Sequence, residues 1–421
     1  MASSKSMSLG SISTKKRFVG DPSNMVTSAI KFLLLIEILT DIARSSTPKT
    51  TIDRENDSRY SVYLIIEGSR MNACVDLFCG CGGLSLGAAA AGFEPRVAVD
   101  VDSVLSSSYQ HNHQHGKVVV ADLFQLEPSI LRDHLGEAPV GVFGGPPCQG
   151  FSSIGRQVPN DPRNGLILRF FHFVSELRPA FFVMENVPGL LNERNRALLD
   201  AGLSKLSGDY VVLEPKIVDA SKFGAATRRR RVFVVGADTS QIAAFPSSLL
   251  DPPEVVERSV QDAIGGLPSP GKEDRRKMAA DAFGKRLDEM FEPHDQQYRK
   301  KGVSGFQDTI HRADIQSRFS TVPQGGKDTK SRYPRLAWDK PAPTLRAGTG
   351  SDRGSFQAAR PIHPDEPRVI CVREAARIQG FPDWYEFHQT KWHSHRMIGN
   401  SVSPIVALAI FSRIAKHIGG C

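Results

Sequence analysis

The chain has 421 residues, 40% hydrophobic and 23% charged, with 53 Lys and Arg against 45 Asp and Glu for a formal charge of +8. That size and apolar content exclude a disordered chain and a small disulfide scaffold, while the basic balance favours a polyanionic partner without proving one. The six cysteines, Cys74, Cys79, Cys81, Cys148, Cys371 and Cys421, show no paired zinc spacing. Cys79-x-Cys81 lacks a second ligand pair or a His cluster, so no metal is expected and a reducing cytoplasm is the natural compartment.

Residues 1–70 read as an extension. It has a polar lead, an amphipathic helix near Thr27–Ala43, a polar stretch at Ser45–Arg59 and a strand-like Tyr60–Ile66. No signal-peptide core is present. The most apolar early run, Ala29–Leu39, is interrupted by Lys31 and Glu37 and is too short to cross a bilayer, so no membrane association is expected.

From Met71 onward strands and helices alternate. The predicted strands are Ala73–Phe78, Arg96–Val101, Lys117–Val120, Val140–Phe143, Ala180–Met184, Tyr210–Leu213 and Arg231–Val235, with helix-length stretches such as Leu84–Ala91 and Leu166–Leu177 between them. This order predicts an α/β fold: a doubly wound, mostly parallel sheet with helices on both faces. After about Asp238, Pro, Gly and charged residues become frequent and long apolar runs stop. Residues 241–394 therefore read as a second, smaller, loop-rich basic domain, with Phe283, Met290, Phe291, Phe306, Phe319 and Trp338 as its modest core. Within it, Val372–Ile378 reads as a helix stopped by Gly380-Phe381-Pro382. Pro404–Ile418 reads as a helix capped by Ser401 or Ser403 and apolar enough to pack on the sheet. Residues 395–421 thus rejoin 71–240.

Four strand ends carry chemistry. Ala73–Phe78 runs into Gly80-Cys81-Gly82-Gly83, and Asp100 and Asp122 end the next two strands, a spacing on which a nucleoside can lie. The glycines do not follow G-x-G-x-x-G, and Asp76 just before the loop disfavours a pyrophosphate. An acid there suits a cofactor with a cationic amino-acid tail, such as S-adenosylmethionine. At the other end, Val140–Phe143 stops abruptly at Gly144-Gly145-Pro146-Pro147, so Cys148 stands on a stiff turn at a strand tip. That run by itself is equally compatible with a reactive thiol and with an inert core cysteine.

Six segments in order resemble the DNA (cytosine-5)-methyltransferase family, of the bacterial restriction–modification type. Asp76 to Gly83 resembles its first motif, Gly145-Pro146-Pro147-Cys148-Gln149 its nucleophile motif, and Glu185-Asn186-Val187 its E-N-V motif. Arg229-x-Arg231 resembles the end of Q-x-R-x-R, Arg373 to Pro382 the ninth motif, and Gly399-Asn400-Ser401-Val402 the tenth. Thr227 stands where the family has Gln, and Met397 where it often has Gln. The resemblance implies a Rossmann-like catalytic domain, 71–240 plus 395–421, and a target-recognition domain, 241–394.

It also implies site roles. Cys148 is the thiolate that attacks C6 of cytosine and makes C5 nucleophilic. Glu185 meets the base edge and must carry or share a proton, Arg229 meets the cytosine carbonyl and lies in the neighbourhood of that carboxylate, and Arg231 supports the site. Phe78 stacks on the cofactor adenine; Gly80, Cys81, Gly82 and Gly83 line its methionine tail; Asp100 binds the ribose hydroxyls and Asp122 accepts from the adenine amino group, with Val101 and Leu123 also binding the cofactor. Pro147, Leu166, Asn400 and Ser401 complete that pocket. An extruded base requires DNA contacts, for which Gln149 and the polar loop Ser152–Asn164, with Ser152, Arg156 and Arg163, are the candidates, together with Thr344 of a Thr-Leu signature. The expected partner is double-stranded DNA, bound by a monomer, with a cognate restriction endonuclease as functional counterpart. A tRNA cytosine-5-methyltransferase and a non-catalytic DNA-binding homologue are the alternatives.

Overall fold

Five parallel strands hold the apolar runs: β1 (Ala73–Leu77), β2 (Glu94–Asp100), β3 (Lys117–Val120), β4 (Gly141–Gly144) and β5 (Phe181–Asn186), side by side in the order β3-β2-β1-β4-β5. The computed structural model describes residues 72–113, 116–147, 165–277, 281–292, 302–348 and 360–419. The helix and strand expected before residue 70 lie outside them. The chain leaves β1 to one side for β2 and β3 and returns to its other side for β4. The strand order therefore reverses between β2 and β4 around β1, which is where doubly wound sheets bind their ligands.

The next strands are β6 (Tyr210–Val212), β7 (Lys216–Asp219), β8 (Thr227–Arg228) and β9 (Arg230–Asp238). β9 runs antiparallel to β5, and β6 and β7 pair with its far edge. The sheet is thus parallel over β1–β5 and antiparallel around β9. The pleat sends alternate residues to opposite faces. Phe181, Val183, Phe233 and Val235 join one core cluster, whereas Phe182, Met184, Val232 and Val234 join another.

Helices cover both faces. On the first, the Gly83–Ala90 helix packs against the Pro404–Gly419 helix so closely that a Cβ on Gly87 would lie 2.3 Å from Ala407. Phe411 stands edge-on to Phe143 at 4.9 Å. On the second, the Gly165–Leu177 helix sets Phe170 and Phe171 edge-on to Phe182. Residues 391–419 are apolar enough in one window to cross a bilayer by length and composition. They form two helices, Lys391–Asn400 and Pro404–Gly419, broken at Ser401–Ser403, and their apolar side chains lie in the core. The Lys391–Asn400 helix was not expected from its His- and Arg-rich sequence. Ser403 stands at the N-cap position, its carbonyl accepting the Ala407 N–H at 3.1 Å, although its buried hydroxyl has no hydrogen-bond partner among the described residues; the Ser401 hydroxyl donates to the Val402 carbonyl.

The loop-rich segment is held from inside. Short helices at Val260–Ile264 and Ala282–Met290 start with Ser259 and Asp281 accepting N–H bonds, as good caps do. Phe283, Phe291, Phe306 and Phe319 are buried, but Phe283 and Phe291 extend the main core, and Phe319 centres a small cluster with Val322, Ile362 and Val369. β10 (Ala342–Pro343) pairs with β8. The Val372–Gln379 helix ends at left-handed Gly380, as expected. Its two arginines are fully buried. Arg373 donates to the carbonyls of Ser304, Pro382 and Tyr385. Arg377 makes a bidentate pair with Asp383 at 2.8 and 2.6 Å and a further bond to Asp281 at 2.6 Å.

Removing Arg377 leaves two carboxylates facing an empty, buried site. Arg377→Ala is expected to cost about 3–5 kcal/mol of unfolding free energy, read by urea titration; a loss below about 1 kcal/mol would show that this network is not structural.

Candidate active site

The tip of β1 is a left-handed turn. Phe78, Gly80 and Gly82 have φ of 66°, 50° and 90°, and for Phe78 such a φ is strained and points to a constrained site. Gly80 donates its N–H to Asp100 Oδ2 at 2.8 Å, and a Cβ there would meet nothing within 4 Å. Gly82 and Gly83 are different. A Cβ on Gly82 would lie 2.4 Å from His113, and one on Gly83 2.0 Å from the Ser401 hydroxyl. These two glycines let neighbouring segments close on the loop, whereas Gly80 faces open space. Cys81 is buried, and burial pushes its thiol up to about 12, so it is a protonated packing group.

The ends of β2 and β3 flank this turn. Asp100 accepts from Gly80 with one oxygen and from the Asp102 N–H, at 2.8 Å, with the other. Val101 is 68% exposed beside it. Asp122 is exposed and caps its own turn through the Phe124 N–H at 2.9 Å. Leu123 and Leu166 are buried, and Arg169 holds the Leu123 carbonyl at 2.9 Å.

The tips of β4 and β5 meet next. A Cβ on Gly145 would lie 3.0 Å from Glu185 Oε2, so only a bare backbone lets the carboxylate approach the turn this closely. Asn186 donates to the Pro146 carbonyl at 3.1 Å in a buried bond. It therefore fixes the Pro146-Pro147 turn to β5. The E-N-V motif contains Asn186 without indicating this bond; the signal for it in the sequence is an Asn at a buried strand end, able to donate sideways to the next strand tip. Arg231 Nε lies 2.9 Å from Glu185 Oε1, an ion pair that is not aligned as a hydrogen bond. Because β9 is antiparallel to β5, its first residues reach the same edge as the last residues of β5.

Arg229 is placed otherwise. It is buried and donates to the carbonyls of Leu345 and Asn400, both at 3.3 Å. The side chain beside Glu185 is thus Arg231, while Arg229 ties the β8–β9 turn to two other segments. Thr344 donates its hydroxyl to the Arg228 carbonyl at 2.8 Å. Asn400 is exposed and Ser401 half-buried, next to the glycine turn. Cys148, Gln149, Ser152, Arg156 and Arg163 lie outside the described residues. Cys148 is joined directly to Pro147, so the turn that Asn186 holds is the one that delivers it. Among the described residues no cluster of His, Cys, Asp and Glu could hold a metal ion.

Beneath the glycine turn, Tyr109 donates to the Ser85 hydroxyl at 2.7 Å, and Ser85 donates to Asp76 Oδ2 at 2.6 Å. Asp76 Oδ1 is buried with no hydrogen-bond partner among the described residues. An acceptor left in this state beside a backbone open to solvent suits a ligand that brings positive charge. Burial raises Asp76 to about 8, opposed by the Ser85 bond and reinforced by the charge of Asp100. An acid with a raised folded-state value costs nothing when both states are protonated. It destabilises progressively as pH climbs from its ordinary value near 3.8 to about 8. Asp76→Asn keeps the Ser85 acceptor and removes the charge. The ligand-free parent should therefore lose thermal stability relative to Asp76→Asn between about pH 5 and about pH 8. Parallel stability curves would contradict this.

The family model for C-5 cytosine-specific DNA methylases matches residues 72–416. The chain is 36% identical to the type II methyltransferase M.XorII of Xanthomonas oryzae pv. oryzae over 364 residues, covering 82% of this chain and 84% of that one. It is 29% identical to the type II methyltransferase M.AgeI of Thalassovita gelatinovora, covering 82% and 99%. A crystal structure of an E. coli prophage-encoded protein, solved as a candidate DNA modification methyltransferase, superposes with a TM-score of 0.73 at 37% identity, over 82% of this chain and 99% of that one. The Dnmt2 methyltransferase of S. pombe, at 16% identity and a TM-score of 0.54, shares the fold. The chain belongs to the C-5 cytosine-specific DNA methylase family and is an S-adenosylmethionine-dependent cytosine-5 DNA methyltransferase related to those of bacterial type II restriction–modification systems.

Proposed function

We propose that, in methylating C5 of cytosine in DNA, the chain uses Cys148 as a transient covalent nucleophile on C6 of a base turned out of the duplex. The observation that carries this reading is the Asn186–Pro146 bond beside the Glu185–Arg231 pair. It pins the turn leading into Cys148 beside the Glu185 carboxyl group, which Arg231 holds in place. Attack at C6 pushes electrons toward the ring's N3 edge and leaves C5 nucleophilic. Glu185 meets that edge and supplies or shares the proton it needs, and Arg231 orients Glu185. Arg229 serves by holding the segment of Thr344 and Leu345, and the end of the Lys391–Asn400 helix, around the base pocket. After transfer, a solvent molecule takes the C5 proton, and the C–H electron pair re-forms the C5–C6 double bond and expels the Cys148 sulfur as a thiolate.

S-adenosylmethionine supplies the electrophilic methyl when bound. The residues present fit it. Asp76 has an unpaired buried oxygen beneath the turn, and Gly80 is open. Asp100 has both oxygens oriented by backbone donors. Phe78, Gly80, Asp100, Val101, Asp122, Leu123, Pro147, Leu166, Asn400 and Ser401 would hold it, with Cys81, Gly82 and Gly83 shaping the loop. Residues 71–240 and 395–421 would form the catalytic part, and 241–394 the part that selects the DNA sequence, with Gln149, Ser152, Arg156, Arg163 and Thr344 on the DNA. The protein would act as a cytoplasmic monomer, protecting DNA from a cognate endonuclease.

The test is methyl transfer from labelled cofactor to duplex DNA and, separately, to tRNA. Label should enter DNA alone, and Cys148→Ala should abolish it while keeping cofactor binding; substantial turnover by Cys148→Ala would overturn the mechanism. Asn186→Ala should lower kcat about 10- to 100-fold through misplacement of the Pro-Pro turn. An unchanged kcat would remove Asn186 from the account.

A further inference from the structure

The Lys391–Asn400 helix carries Trp392, Arg396 and Asn400 four residues apart, so the three share one face. The Arg396 guanidinium lies over the Trp392 ring at 4.8 Å, and one of its nitrogens is 3.3 Å from Asp102 Oδ2. Asp102 is otherwise committed to its own turn: its Oδ1 accepts from the N–H groups of Val104 and Leu105, both at 3.0 Å. Its backbone N–H is one of the two donors that orient Asp100. The stretch after Asp102 is also joined to the helix and to the chain just before it. Ser108 contacts the Met397 sulfur at 3.6 Å, and Asn112 exchanges two bonds with the Glu386 backbone at 2.8 and 2.9 Å. These lower links are neutral, whereas the link nearest Asp100 is an ion pair.

We infer that Arg396 is a positioning residue for cofactor binding: it braces the Asp102 turn, and through the Asp102 amide the Asp100 carboxylate, against the helix that ends in Asn400. The inference rests on the reading of Asp100 as the ribose acid. Arg396 touches no reacting atom, so its loss loosens the pocket and leaves the chemistry alone. The guanidinium is 19% exposed and the Asp102 carboxylate 32%, so the brace is partly screened and its effect is modest. Stacking on Trp392 holds Arg396 in the pairing rotamer, which lowers the entropy lost in forming the pair.

The experiment is steady-state kinetics of the full-length protein with S-adenosylmethionine and duplex DNA, after thermal melts establish that each variant is folded. Arg396→Ala should raise cofactor KM about 3- to 10-fold, with kcat and the KM for DNA within about twofold of the parent. Arg396→Lys, which keeps the charge, should recover part of the loss, and added salt should narrow the gap between parent and Arg396→Ala. An unchanged cofactor KM, a fall in kcat at constant KM, or an Arg396→Lys variant as impaired as Arg396→Ala would each overturn the inference. If Arg396→Ala does not fold, the cofactor KM of Arg396→Lys and its salt dependence decide: a parent-like salt response in the Lys variant supports the brace, and salt-independent values in both proteins overturn it. Asp100→Ala separates the two layers. If it leaves cofactor KM unchanged, the ribose reading fails; if it raises KM while Arg396→Ala does not, the brace alone fails.

Discussion

The register of β9 on β5 is the constraint on which the site depends. Glu185 pairs with Phe233 and Asn186 with Val232, so the residue before Val232 lands at the strand edge next to Glu185. A slip of one residue would turn Arg231 to the other face and exchange the two rows of core side chains. The register is protected by that same exchange. Phe233 and Val235 belong to one apolar cluster and Val232 and Val234 to the other, and moving all four would expose a large apolar area. Packing energy in the middle of the sheet thus fixes geometry at its rim.

Buried charge does the comparable work away from the sheet. The loop-rich region has few long apolar runs, and its segments are joined by arginines that donate to carbonyls and carboxylates on several of them. Arg373, Arg377 and Arg229 are each buried and each bind groups distant in sequence. Such groups add less net stability than an apolar core of equal volume, but they tolerate no misplacement, because an unpaired buried charge is costly. A region built this way holds its framework while leaving surface loops free to differ in sequence. Asp76 is the opposite case, a buried acid with one oxygen left unmatched. That is a cost carried by the ligand-free protein, and one that a cationic ligand would relieve.

The sheet was readable because its strands are apolar runs bounded by Gly, Pro and Asp. β3 appears at its predicted limits and β1 within one residue, stopped by the left-handed Phe78. The strand-end acids and the Pro-Pro turn were readable for the same reason. What could not be read was which side chain of a run would meet which partner. Arg228 to Arg231 look alike in sequence, and their separation into a carbonyl clamp at Arg229 and a carboxylate partner at Arg231 follows from a turn between β8 and β9 that periodicity does not reveal. Gly82 and Gly83 look like cofactor glycines, yet their closest neighbours are His113 and Ser401. The Lys391–Asn400 helix was missed because its apolar content is low and its stability comes from contacts with segments nearly 300 residues away.

The central claim is that the β4–β5 edge delivers Cys148 to C6 of a cytosine. It is tested most directly with duplex DNA whose target cytosine carries fluorine at C5. After attack and methyl transfer, fluorine cannot leave as the proton does, so the thioether to C6 persists. The account predicts a denaturant-stable protein–DNA complex that requires S-adenosylmethionine, with the cross-link mapped to Cys148 by mass spectrometry. A cross-link at any other residue, or one that survives Cys148→Ala, would contradict it.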